Sequence, residues 1–178
     1  MKKLFYPLLA AFILLTSAAL SVSSTNYKVG PNFQLKFTSK DPSGIFKKLK
    51  GTVIFDEENL AAAKFNFTAD VSSISTGNGM QNKKAQTQEW FYASTYPEIT
   101  FVSSKVTKAE SKYYITGNFT IKGVTKEIKV PMTLVKTDGT LKFKGSFYID
   151  RLDFKVGKPN KTVPSRLKIH YLIPVTKS

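Results

Sequence analysis

Ile128-Lys129-Val130-Pro131-Met132-Thr133-Leu134, then Asp138-Gly139, then Leu141-Lys142-Phe143-Lys144-Gly145-Ser146-Phe147-Tyr148-Ile149-Asp150: this stretch decides the fold. On its first side Ile128, Val130, Met132 and Leu134 alternate with Glu127, Lys129 and Thr133. On its second, Leu141, Phe143, Gly145, Phe147 and Ile149 alternate with Lys142, Lys144, Ser146, Tyr148 and Asp150. Successive side chains of a strand point to opposite faces, so a step of two gives each run one dry face and one wet face. Asp138-Gly139 stands between them, where a two-residue type I′ turn needs φ > 0 at both central positions. The stretch predicts an antiparallel hairpin.

The same period spreads outward. Phe33, Leu35 and Phe37 alternate with Gln34, Lys36 and Thr38. Phe65, Phe67, Ala69 and Val71 alternate with Lys64, Asn66, Thr68 and Asp70. Ile115, Gly117, Phe119 and Ile121 form another dry face, as do Leu167, Ile169, Tyr171, Ile173 and Val175. Further breaks fall at Glu57-Glu58-Asn59, Glu110-Ser111 and Lys122-Gly123. Eight strands are expected, at about 26–38, 44–55, 60–74, 98–109, 112–121, 126–137, 140–152 and 164–175. The one long link, Gly77 to Ser94, carries Met80, Lys84, Thr87, Trp90, Phe91 and Ser94 at helical spacing and predicts a helix with a weakly apolar stripe between strands 3 and 4. The fold class is therefore all-β, an eight-stranded antiparallel barrel with one linking helix, since closure removes exposed edges. A sandwich is the fallback.

An eight-stranded interior either fills with side chains or holds one small ligand. Gly51, Gly117 and Gly145, with Ala61, Ala63 and Ala69, fall on inward faces and suggest open lumen; the competing reading is that the glycines are bend points. An apolar lumen suits a lipid tail, whose burial contributes about 0.8 kcal/mol per CH₂.

The chain has 178 residues, with 14 Phe, 8 Tyr and 1 Trp, no cysteine and one histidine. Disulfides, thiolate metal sites and histidine clusters are thereby excluded. Lys2 and Lys3 precede an apolar run from Leu4 to Leu15 and the small residues Ser17, Ala18 and Ala19, the order of a secretory signal peptide. The expected organisation is a leader over 1–21 and one barrel domain over 22–178, exported to the periplasm or secreted; an uncleaved N-terminal anchor is the alternative. The net charge is +15, almost wholly from lysine. Solvated outward lysines account for it, with attraction to an anionic membrane surface as the second reading of Lys47, Lys48 and Lys50, Lys83 and Lys84, and Lys155, Lys158 and Lys161. Nucleic acid is not expected as a partner, because the aromatics face inward.

Three groups of residues carry a family likeness. Ser73-Ile74-Ser75-Thr76-Gly77-Asn78-Gly79 is followed by Trp90-Phe91 and Tyr96-Pro97-Glu98-Ile99-Thr100-Phe101. Then come Gly117-Asn118-Phe119-Thr120-Ile121-Lys122-Gly123-Val124-Thr125-Lys126 and Ile149-Asp150-Arg151-Leu152-Asp153-Phe154. In this order they resemble the YceI-like family of exported bacterial lipid-binding proteins, from Tyr27 to Val175. The resemblance implies a lipocalin-like barrel around an amphiphile with a long isoprenoid or acyl tail. The chain departs from the family pattern at Ser75, where many members have Asp, at Gln81-Asn82 in place of Arg-Asp, at Lys84 in place of His, and at Asn32-Phe33 in place of His-Ser.

Phe37, Phe55, Phe67, Trp90, Phe91, Phe101, Phe119, Met132, Phe143 and Phe147 are the expected tail contacts. Asn82, Lys84, Gln88, Arg151 and Asp153 are the candidates for the head group, with Lys84 favouring an anionic or neutral acceptor head. Arg151 has a planar fork suited to phosphate or carboxylate; its plainer reading is an ion pair with Asp150 or Asp153. No catalytic constellation, metal site or cofactor is expected. The functional expectation is binding, sequestration or transport of a long-chain amphiphile by a non-enzyme, with an isoprenoid or acyl lipid as partner and a homodimer left open. The alternative is a filled barrel acting as a structural or cell-surface interaction module.

Overall fold

The computed structural model describes residues 25–137 and 139–178, so the expected leader over 1–21 lies outside the described residues. Eleven strands run in chain order: β1 (Thr25–Val29), β2 (Gln34–Thr38), β3 (Gly44–Phe46), β4 (Leu49–Phe55), β5 (Lys64–Asp70), β6 (Ile74–Ser75), β7 (Glu98–Ala109), β8 (Lys112–Ile121), β9 (Val124–Thr137), β10 (Thr140–Asp150) and β11 (Arg166–Lys177). Every pairing is antiparallel, in the order β1-β4-β5-β7-β8-β9-β10-β11, and β1 pairs again with β11 to close an eight-stranded barrel. The strands β2, β3 and β6 continue the walls of β1, β4 and β5 beyond the closed ring, extending the barrel toward one end, the mouth.

The first three expected strands are therefore each broken, for local reasons. At 30–33, Pro31 has no N–H to give a ladder and Asn32 takes φ +61°, separating β1 from β2. Lys47 N–H donates to the Ser73 carbonyl and Lys48 N–H to Ser73 Oγ, at 3.1 and 3.0 Å, so β3–β4 and β5–β6 bend together. A 3₁₀ turn over Val71–Ser73, capped by the Asp70 side chain accepting from Ser72 N–H, makes the second bend. Ala61, expected inward, lies exposed on another 3₁₀ turn, Leu60–Ala62.

The hairpins follow the turn chemistry. Thr137 pairs with Thr140, leaving a two-residue link in which Gly139 has φ +72°; Asp138 lies outside the described residues. Lys122 and Gly123 both have positive φ between β8 and β9. The β9–β10 ladder stops at Thr133–Lys144, above which the Pro131 carbonyl accepts instead from Tyr171 Oη at 2.8 Å.

Helix α1 covers Gly79–Ala85, shorter than the 77–94 expected. Asn78 Oδ1 caps it, accepting from Met80 and Gln81 N–H. No residue of α1 is buried and Met80 is 79% exposed, so the expected apolar stripe is not a packed face. Residues 86–97 instead form successive turns tied back on α1 by Phe91 N–H to the Ala85 carbonyl and Ala93 N–H to the Gln86 carbonyl. This segment brings Trp90 and Phe91 over the mouth.

The interior has two parts. At the closed end Phe55, Phe65, Tyr113 and Phe143 pack edge to face at centroid distances of 5.2–5.9 Å, around Val53, Val106, Met132, Ile173 and Val175. Each such side chain contributes about 1.5–3 kcal/mol on burial. Toward the mouth Phe37, Phe46, Ala69, Ile74, Ile99, Ile121, Ile149 and Phe154 line a second cluster, with Trp90, Phe91, Phe119 and Phe147 against it. The inward glycines are close-approach points, which corrects their reading as open lumen and leaves Ala69 beside the space that remains. A Cβ on Gly117 would lie 2.5 Å from the Val102 carbonyl oxygen, and on Gly51 or Gly145 it would strike the carbonyl of Asn66 or Pro131.

Candidate functional site

The inward side chains leave a cavity of about 360 Å³ inside the barrel. Its walls are almost wholly apolar: Leu35, Phe37, Phe46, Leu49, Phe67, Ala69, Ile99, Phe101, Ile121, Ile149, Leu167, Ile169 and Ile173 among them. The floor is the aromatic plug, through Phe65, Met132 and Phe143. Trp90, Phe91 and Ala85 form the side contributed by the α1 segment, and Thr76, Gln81, Lys84, Arg151 and Thr162 supply the polar end. Size and lining are those of a small-molecule site with one polar end.

Of the expected tail contacts, Phe37, Phe67, Trp90, Phe91, Phe101, Phe119, Met132, Phe143 and Phe147 border the cavity. Phe55 does not: it lies within the plug, packed on Phe65, Tyr113 and Phe143. Phe46, Leu49 and Ile74 border it without having been singled out. Their strands are two or three residues long or sit beside a bend, too short for period two to register.

The polar candidates divide further. Lys84 borders the cavity. Asn82 faces away, its Oδ1 accepting from Thr76 N–H at 2.8 Å and Thr76 Oγ1 at 2.9 Å, which fixes the turn between β6 and α1. Gln88 is exposed beside Tyr92, Tyr96 and Lys155, outside the cavity. Asp153 is exposed and pairs with Lys126 at 3.3 Å. Gln81 and Thr76 stand at the polar end instead; Gln81 is signalled by the departure from the family pattern at 81–82, and Thr76 only by its place in the Ser73–Gly79 run.

Arg151 borders the cavity but makes no ion pair with Asp150 or Asp153, and most of its fork is turned to the backbone. It is 2% exposed, and its guanidinium donates to four carbonyls: Nε to Pro164 at 3.1 Å, Nη1 to Val156 at 2.6 Å, and Nη2 to Lys158 at 3.0 Å and Val163 at 2.8 Å. It clamps the 155–165 loop against the mouth. Asp150 is no direct partner; it caps the 3₁₀ turn Arg151–Phe154 through Leu152 N–H and accepts from Ser165 Oγ. Burial lowers the Arg151 pKa from its usual value, and the Asp150 charge opposes that shift. Lys122, donating to the carbonyls of Glu89 and Lys155, is likewise lowered by burial and ties the hairpin turn to the same loop.

Among the described residues no group of three His, Asp or Glu side chains comes together as a metal site, and no helix is long and apolar enough to cross a membrane. His170 faces outward, its Nε2 3.3 Å from Thr38 Oγ1. The lysine clusters at 47–50, 83–84 and 155–161 all belong to segments flanking the mouth, with Lys48 paired to Asp70 and Lys50 to Glu98.

The chain is similar to a UPF0312 protein of Pectobacterium atrosepticum, 38% identical over 92 residues; that match covers 52% of this chain and spans about half (48%) of that relative. In structure it is similar to BcnA of Burkholderia cenocepacia, at 33% identity and TM-score 0.77, covering 81% of this chain and 96% of that one. A polyisoprenoid binding domain from Saccharophagus degradans, implicated in plant cell wall breakdown, shares the fold at 12% identity and TM-score 0.68, over 88% of this chain and 100% of that one. The YceI-like domain matches residues 20–174, nearly the whole chain, and on that match the protein belongs to the YceI-like family.

Proposed function

We propose that the barrel binds one long-chain amphiphile, of isoprenoid or acyl type, and sequesters it or carries it through water. The observation that carries this is the cavity of about 360 Å³, apolar along its length and polar at one end. The description of the Saccharophagus degradans domain as polyisoprenoid binding agrees with it. Ten methylenes buried there are worth about 8 kcal/mol, a gross affinity near micromolar before ordering costs. The reading is of binding without catalysis: Asn82 and Arg151 spend their polar groups on the protein's own backbone, and the cavity wall offers shape and dryness.

The exported location and a lysine-rich mouth meeting an anionic membrane belong to the same proposal. Delivery from one membrane to another requires loading at a surface, and the clusters flanking the mouth would orient it, at about 1 kcal/mol per lysine. Titration with prenyl and acyl amphiphiles, read by the fluorescence of Trp90, tests binding: saturable change at micromolar concentration is expected. Absence of any change with both tail classes, in protein stripped of lipid, contradicts it.

A further inference from the structure

Trp90 was expected as wall for a tail, yet its indole is more constrained than packing alone requires. The Arg151 guanidinium lies 5.2 Å from the ring centroid and Lys84 Nζ 5.9 Å. The Cε3–Cζ3 edge rests on Gly157, where a Cβ would come within 3.0–3.1 Å, and Gly157, at φ +69°, donates its N–H to the Glu89 carbonyl. The backbone N–H of Trp90 donates to the Thr87 carbonyl. With that edge against the loop, Nε1 sits on the opposite edge of the ring, and the residue borders the cavity. Nε1 is buried and has no hydrogen-bond partner, the one such side-chain atom among the described residues. Buried donors are almost always satisfied, because leaving one unmade forfeits its hydration with no return.

The charges around that donor select its partner. Arg151 and Lys84, both cationic, lie over the ring. The nearby carboxylates are turned to other work, Asp150 to Leu152 N–H and Ser165 Oγ, and Asp153 to Lys126. Asp41, from the loop between β2 and β3, is the one acid among the lining residues, against Lys36, Lys84 and Arg151. With Lys84 over the same ring and also lining the cavity, the donor fits an oxygen that carries negative charge.

We propose that Trp90 Nε1–H donates to an oxyanion on the ligand's polar end, a carboxylate or a phosphate, with Lys84 beside it. This makes Trp90 a head-group residue and specifies an acidic amphiphile. It rests on the lipid-binding reading and deepens it. Trp90 is the only tryptophan in the chain, so a ¹⁵N-labelled protein gives one indole N–H resonance. Added palmitate and geranylgeranyl monophosphate test the two head groups, and hexadecane supplies a tail with none. The indole proton should move downfield with one or both acids, while hexadecane perturbs backbone amides of the barrel without that shift. Backbone perturbation by all three with an indole signal that stays put, or that hexadecane moves equally, overturns the head-group assignment and leaves lipid binding intact. Silence of every resonance overturns both. Trp90→Phe keeps the ring and removes the donor; displacement of a fluorescent acyl probe should show palmitate weakened about tenfold to a hundredfold and hexadecane little changed. Equal loss for both means that the indole only packs.

Discussion

Ala69→Leu separates a hollow barrel from a solid one. Ala69 is 4% exposed on β5, opposite Ile99 on β7 and Leu49 on β4, and borders the cavity. Leucine adds three carbons there. If the space is a lipid site, those carbons displace two or three methylenes of the tail, at about 0.8 kcal/mol each. The cost is about 2 kcal/mol, or roughly a 30-fold rise in Kd for an acyl or prenyl ligand. The apo protein gains buried apolar surface and relieves no backbone contact, so its unfolding free energy should stay within about 1 kcal/mol of the parent or rise. Trp90 fluorescence titration gives the affinity and urea denaturation the stability. An unchanged Kd, joined to a stability loss of about 1–3 kcal/mol of the kind overpacking causes, would refute the reasoning.

Gly145→Leu is the counterpart: its Cβ meets the Pro131 carbonyl and Tyr171, so thermal stability should fall by about 3 kcal/mol or more, and a Tm equal to the parent contradicts the close approach. Arg151→Met strips the donor from four carbonyls and should cost about 2–4 kcal/mol, with amide exchange rising across 155–165; protection unchanged in that loop means it does not depend on the clamp. The Glu57 carboxyl is held below its ordinary pKa of 4.5 by hydrogen bonds from Lys136 first and Tyr113 second. Its contribution is therefore full above about pH 4.5 and is lost as pH falls through the lower folded value, and Glu57→Gln should flatten that acid limb by well under about 1 kcal/mol. Identical acid-unfolding curves for both proteins remove Glu57 from the account.

Period two made the barrel legible because each strand of β8 to β11 keeps one dry face for ten or more residues, and turn residues such as Gly123 and Gly139 mark where the chain reverses; in β7 a bulge between Ser103 and Lys105 breaks the alternation. The bends were hidden, since Ser73 joins two walls through bonds to Lys47 and Lys48, residues more than twenty positions away. The cavity's walls were largely readable from alternation, but its extent was not: Gly117 looks like open space in the sequence and is filled by the carbonyl of Val102. Polar roles were least readable. Asn82, Arg151 and Asp153 have side chains that suit a head group, yet local backbone claims the first two and Lys126 the third. Trp90 shows the converse, an apolar residue whose one polar atom is the unpaired one.

The measurement closest to the central claim is native mass spectrometry of the full chain purified without detergent, then incubated with a bacterial lipid extract and separated by organic extraction. A single adduct of defined mass, recovered as an amphiphile with a long tail and lost on Ala69→Leu, is the predicted result. Protein that keeps its bare mass after incubation, with no lipid in the extract, contradicts the carrier reading and returns the barrel to a structural or interaction module.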